Sequence, residues 1–168
     1  MTEIVEIGPG ELARFLAVAE AARGESLGSA ADMVDWRRQA EDMAWFMAVV
    51  DGKDAGGGLG IVGWHSTPGV GTCEAYVLPA FRERGIGTAL YNELARWLSE
   101  RGCVEFESAV LERDEGSLAW AKRRGLREVG RSSRLEIRNE AIRRLNTGHG
   151  DRAELGVVVV RGLLASAD

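Results

Sequence analysis

The residues with the clearest chemistry lie in one stretch, Val77-Leu78-Pro79-Ala80-Phe81-Arg82-Glu83-Arg84-Gly85-Ile86-Gly87-Thr88-Ala89-Leu90. The stretch reads as the end of a strand and the start of a helix. The first amides of a helix have no partner inside it, so such an end attracts anions. Gly85 and Gly87 lack a Cβ, which lets the backbone approach a ligand closely and take left-handed angles, while Arg82 and Arg84 add cationic donors beside the same point. A diphosphate fits that set. A tight turn flanked by solvated arginines would use the same residues. Two other phosphate loops fit less well: a dinucleotide fingerprint needs a third glycine where Leu90 stands, and a Walker loop needs Gly-Lys-Ser/Thr, which is absent.

The elements that must position this loop follow from periodicity and breakers. Ile4 to Ile7 alternates like a half-buried strand before Gly8-Pro9-Gly10. Leu12, Phe15, Leu16 and Ala19 recur at helical spacing up to Gly24, and Met33, Trp36, Ala40 and Met43 suggest a second helix capped by Ser29 or Asp32. Trp45 to Val50 reads as a strand, Asp51 to Gly57 as a turn, and Leu59 to Trp64 as the antiparallel partner, closed by Pro68-Gly69. Thr72 to Leu78 is the next strand. Gly85 to Arg101 is the strongest helix, with Ile86, Leu90, Leu94, Trp97 and Leu98 on one stripe and Gly102 as its stop.

Val104 to Leu111 then reads as strand, Asp114 to Arg124 as a short helix, Leu126 to Ile137 as strand, and Leu155 to Leu163 as a last, valine-rich strand. Between them, Asn139 to Glu154 is weakly patterned, with a short helix suggested over Ala141 to Leu145. An antiparallel meander followed by alternating strands and helices points to an α/β (α+β) fold, a mixed sheet with helices on both faces.

At 168 residues the chain suits a single domain over 1–168. Apolar residues at 45% and charged ones at 28% mark a globular chain, and no apolar run is long enough to span a bilayer. With no basic, apolar leader at Met1 to Glu6, the cytoplasm is the expected location. A net charge of −5 argues against nucleic acid as a partner, because that binding needs a basic face. Cys73 and Cys103 read as two buried thiols, with no Cys-x-x-Cys pair for zinc.

The loop resembles that of the GNAT superfamily of N-acetyltransferases. Arg82-x-x-Gly85-x-Gly87 is similar to the family's Arg/Gln-x-x-Gly-x-Gly/Ala, preceded by the customary Val-x-Pro at Val77-Leu78-Pro79. Downstream, Ser117 to Leu126 looks like the family's next helix, and the resemblance is clear from about Trp45 to Ile137. It implies a mostly antiparallel, splayed sheet, with the pantetheine arm of acetyl-CoA along Val77 and Leu78. The diphosphate would sit on the amides of the loop, drawing on Arg82, Glu83, Arg84, Gly85, Ile86, Gly87 and Thr88. Asp114, Ser117 and Trp120 would flank the thiol end. It also implies direct acetyl transfer to a primary amine of a small molecule or peptide, without a covalent enzyme intermediate and without a metal.

An attacking ammonium starts near a pKa of about 10 and a leaving thiolate near about 8.5, so a base and an acid are both wanted. Many members place a tyrosine four residues before the helix-ending glycine; counting back from Gly125 gives Ala121, and Asp114 stands where an asparagine is usual. Losing a positioned acid costs about 10²–10⁴ in rate, although water can assist a thiolate. Tyr76 and Tyr91 are the substitute donors. Glu74, sharing a strand face with Tyr76, is the first candidate base, ahead of His65, while His149 reads as solvated and Ser66 lacks a hydrolase elbow.

The stretch Glu20 to Asp42 holds six acidic residues against three arginines, which favours a cationic acceptor. The last strand is read as the domain's own final strand, with a linker into a truncated second copy over 139–168 as the alternative. A bare valine strand would aggregate, so it must pair within the chain or across a homodimer. Two function classes therefore stand: an active N-acetyltransferase, and a non-catalytic acyl-CoA sensor or degenerate half of a tandem enzyme. A dinucleotide-binding domain is left as a third reading, which predicts tighter binding to NAD than to coenzyme A.

Overall fold

A computed structural model of the chain describes residues 1–64, 67–132 and 156–164. By internal contacts it comprises two compact units, Met1–Phe106 with Leu163–Asp168, and Glu107–Gly162. In the first, β1 (Thr2–Ile7), α1 (Leu12–Arg23), α2 (Ala30–Gln39), β2 (Asp42–Val50), β3 (Lys53–Val62), β4 (Val70–Val77) and α3 (Ile86–Ser99) follow in order. Its strands run β1-β2-β3-β4, each antiparallel to its neighbour. The second unit takes β5 (Glu105–Leu111), α4 (Glu115–Arg123), β6 (Arg127–Ser132) and β7 (Val157–Leu163), in the order β5-β7-β6. β6 and β7 are antiparallel.

The α/β class expected from the element order and the mostly antiparallel pairing implied by the resemblance are what the chain adopts. Strand β3 shows why helices cover both faces of the first unit's sheet. Its sequence Ala55-Gly56-Gly57-Gly58-Leu59-Gly60 has almost no side chains of its own, so each face is filled from a helix. A Cβ on Gly56, Gly58 or Gly60 would point at Leu90, Leu94 or Trp97 of α3, whereas one on Gly57 would meet Phe15 of α1 at 3.0 Å. Successive residues of a strand face opposite sides, so α1 and α3 occupy the two sides. The stripe read from sequence on α3 is the stripe that packs: Ile86, Leu90, Leu94, Trp97 and Leu98 are all buried.

Two expectations are corrected here. Gly56 and Gly57 belong to a strand, and the turn is only Asp51-Gly52, with φ of 50° and 75°. Glycine clusters signal turns when judged locally, but these are retained for close helix packing, which no local signal carries. Likewise Met43 is not a helical residue. α2 begins at a capping box in which Ser29 and Asp32 each bond the other's backbone and ends at Gln39, and Met43 lies in β2, paired with Ile61 of β3. A short apolar run fits either period, and strand pairing decides it.

Expectations for Ile137, for a helix over 141–145 and for strand residue Leu155 fall outside the described residues. Val157, Val158 and Val160 are buried, and the strand that carries them pairs with β6. Both cysteines are buried and free. No helix among the described residues is long and apolar enough to cross a membrane.

Candidate active site

β4 ends at Val77, and the Leu78 amide donates to the Ala55 carbonyl at 2.9 Å, holding the strand end against a bulge in β3. One 3₁₀ turn over Pro79–Phe81 then redirects the chain. Glu83 and Gly85 both take left-handed angles, φ 62° and 80°, and Gly85 is the N-cap of α3. A left-handed non-glycine residue is held at a cost of roughly 1–2 kcal/mol, and alternation of this kind curls backbone amides into an anion-binding concavity. The first intrahelical bond runs from the Ala89 amide to the Gly85 carbonyl at 3.0 Å. The amides of Ile86 and Gly87 precede it, with no side chain capping them. Gly85 is fixed by its angle alone, since a Cβ there would meet nothing within 4 Å, and one on Gly87 would make only an ordinary 3.6 Å contact with Val77.

The two loop arginines differ. Arg82 turns back on the chain: its Nε donates to the Val77 carbonyl at 3.2 Å and its Nη2 to the Ala22 carbonyl at 3.0 Å. Arg84 lies exposed with its guanidinium 5.6 Å from the Phe81 ring. A diphosphate at this helix start would therefore meet the amides of the loop and Arg84, with Arg82 holding the loop in shape. Thr88, the third residue of α3, is half-buried.

Register sets which face the candidate base and acid occupy. Glu74 pairs with Leu59 and Tyr76 with Gly57, and paired residues share a face, so both point to the α1 side with Phe15. Leu59 in turn pairs with the fully buried Trp45, over which the Arg37 guanidinium lies 5.4 Å from the ring centroid. Tyr76 is buried and meets Phe15 edge-on at 6.1 Å. Burial and then the Glu74 carboxylate push its hydroxyl well above the ordinary tyrosine range, while the Arg23 cation pulls the other way. Tyr76 is therefore a protonated donor and not a base. Cys73 is likewise held as a thiol, by burial and then by Glu74.

Asp114, Ser117 and Trp120 lie in the second unit. Asp114 caps α4, its carboxylate accepting from the Ser117 amide at 3.0 Å and from the Ser117 hydroxyl at 2.7 Å. Trp120 carries the Arg124 guanidinium 4.0 Å from its ring. Ala121 is 3% exposed and packs with Val158 and Val160, so the position where a tyrosine is common is part of an apolar core. His65, Ser66 and His149 lie outside the described residues. Among the described residues no three metal-ligating side chains come together.

The acidic surplus read along Glu20 to Asp42 is largely engaged. Asp32 sits in its capping box, Asp35 pairs with Arg38, Asp42 with Arg101, and Glu25 with Arg23. The residue that sequence reasoning missed is Arg23. It counts there as one of three cations on a polar stretch, and the Tyr76 hydroxyl whose ionisation it favours stands on a distant strand, beyond any local signal.

A model of the Acetyltransferase (GNAT) family matches residues 29–126. The aminoglycoside N(6')-acetyltransferase type 1 of Salmonella typhimurium is 34% identical over 76 residues, 42% of this chain and 52% of that protein. The match thus spans about half the length of that curated relative. Among solved structures, the ribosomal-protein-S18-alanine N-acetyltransferase of Escherichia coli superposes with a TM-score of 0.72 at 17% identity, covering 100% of this chain and 97% of that one. The yncA protein of Salmonella typhimurium, solved with its cofactor acetyl-CoA, superposes at 0.69 and 13% identity, with 100% and 96% covered. Likenesses at such identities concern the fold.

Proposed function

The chain belongs to the GNAT acetyltransferase family, and from that premise we propose that it is a cytoplasmic N-acetyltransferase moving an acetyl group from acetyl-CoA directly onto a primary amine. The observation that carries the reading is the start of α3. Gly85 is left-handed, the Ile86 and Gly87 amides precede the first helical bond, and this end lies one turn beyond the strand that presents Glu74 and Tyr76. Backbone amides at a helix start are donors suited to a diphosphate, so the loop fits the coenzyme's most charged part.

Acetyl-CoA supplies the activated acyl group as a thioester. The amides of residues 83–88 and the Arg84 guanidinium bind its diphosphate, with Val77 and Leu78 beside the pantetheine arm. Glu74 takes a proton from the acceptor ammonium, directly or through a water. The freed amine forms the new C–N bond as the C–S bond breaks, the departing sulfur receives a proton from the Tyr76 hydroxyl, and the second proton shed by the nitrogen as the amide forms restores the tyrosine through water. The acceptor is a small-molecule or peptide amine: the aminoglycoside enzyme and the ribosomal-protein enzyme are instances of the two classes.

A second reading, a non-catalytic acyl-CoA-binding module, is favoured by Ala121, which places no hydroxyl on α4 where many members have one. The test is acetyl-CoA titration followed by thiol release against aminoglycosides, spermidine and short peptides. Saturable binding with turnover, reduced about 10²-fold or more by Glu74→Gln, is the expected result. Binding without turnover on any amine leaves the module, and turnover untouched by Glu74→Gln removes that residue as the base.

A further inference from the structure

The end of β7 brings apolar surface to solvent. Val157, Val158 and Val160 are buried, but Leu163 is 73% exposed. Its neighbour Leu164 is buried, with its amide donating to the Val104 carbonyl at 2.9 Å, and Val104 is itself 64% exposed. Leu163 and Leu164 line a groove together with a side of α3 that lies off its buried stripe: Tyr91, Asn92, Ala95, Arg96, Ser99 and Glu100.

Those six α3 positions have a symmetry of their own. Tyr91 and Glu100, Asn92 and Ser99, and Ala95 and Arg96 stand at equal distances on either side of the midpoint between Ala95 and Arg96. Two such helices lying antiparallel about that midpoint would set each residue against its counterpart. A two-fold interface requires this, since the same patch serves both subunits and must complement itself. Size suits it, because Ala95 at the centre lets the helices approach closely.

Charge suits it as well. Arg96 pairs within its own helix with Glu93 and Glu100. About the same midpoint the partner's Glu93 falls level with Leu98, about 3 Å along the helix from Arg96. The two guanidiniums would therefore stand among four carboxylates drawn from both copies, so that neither cation faces the other alone.

We propose that this groove docks a second copy of the chain, in a two-fold dimer that packs α3 antiparallel on α3 and covers Leu163. The valines of β7 do not need that partner, since the strand pairs with β6. The exposed leucine at its end does, because an apolar side chain left in water gains by being covered.

Sedimentation of the parent from micromolar to near-millimolar concentration should show a reversible monomer–dimer equilibrium. Leu163→Glu should weaken it about tenfold or more while the variant stays folded by circular dichroism. A second measurement reads the geometry. Cys73 and Cys103 are buried, so a cysteine placed near the two-fold axis by Ala95→Cys should be the one that links two copies on mild oxidation. Ser26→Cys, at an exposed position away from the groove, should not link them. A parent that stays monomeric at every concentration overturns the proposal and leaves the groove to a different partner. A dimer untouched by Leu163→Glu, or one that links no better through Ala95→Cys than through Ser26→Cys, overturns this face as its interface.

Discussion

The Arg82 guanidinium donates to the carbonyl of Ala22 at 3.0 Å, tying the loop ahead of α3 to the last turn of α1. The same side chain also donates to the Val77 carbonyl at 3.2 Å. An arginine in a glycine loop is ordinarily assigned to the ligand; here both of its partners are backbone oxygens of the protein itself.

Lysine would keep the charge of Arg82 but lose the fork that spans two carbonyls. Arg82→Lys should therefore weaken acetyl-CoA binding about 3–10-fold, the value of one or two hydrogen bonds, and nearly as much as Arg82→Ala. Isothermal titration checks it. Parent-like affinity in the lysine variant would make Arg82 a point charge for the diphosphate.

The two loop glycines should respond differently to alanine. Gly85→Ala must hold a side chain at φ 80° and should cost roughly 1–2 kcal/mol of stability. Gly87→Ala meets only Val77 at 3.6 Å in the first turn of α3, and should stabilise by about 0.5–1 kcal/mol. Urea unfolding separates them, and a Gly85→Ala variant as stable as the parent would remove the need for the left-handed cap.

Gly56→Ala tests the packing of β3. The added Cβ would stand 2.6 Å from the Tyr76 carbonyl and 3.1 Å from Leu90. A backbone oxygen cannot rotate away as a side chain can, so we expect a loss of about 1–3 kcal/mol. Reduced thiol release should accompany it, because the strand displaced is the one that carries Tyr76.

Asp54 supplies a pH dependence. Its hydrogen bonds with Arg14, at 2.9 and 3.0 Å from Nε, hold its carboxyl below the ordinary range. A carboxyl with a lower pKa folded than unfolded stabilises above its unfolded value and loses that contribution as pH falls through the folded one. Asp54→Asn should cost up to about 1 kcal/mol at neutral pH. The gap between variant and parent should close below about pH 4, as urea unfolding at neutral and acid pH would show.

Much of this protein was legible along the chain because the relevant physics is local. The stripe of α3 is a 3.6-residue period, the Ser29 cap is a four-residue motif, and the left-handed Gly85 lies in a strand-to-helix junction that its neighbours announce. From those residues alone came the class of fold, the order of most elements and the anion-binding loop. The register decided what local pattern could not. It turned Gly56 and Gly57 from a turn into a strand packed between α1 and α3, moved Met43 from a helix to a strand, and turned Glu74 and Tyr76 toward Phe15. It also brought Arg82 to Ala22, a contact between residues remote in sequence. Period and capping act over a few residues and leave a trace in the sequence. Contacts made by pairing strands and docking helices arise only when the chain has closed on itself.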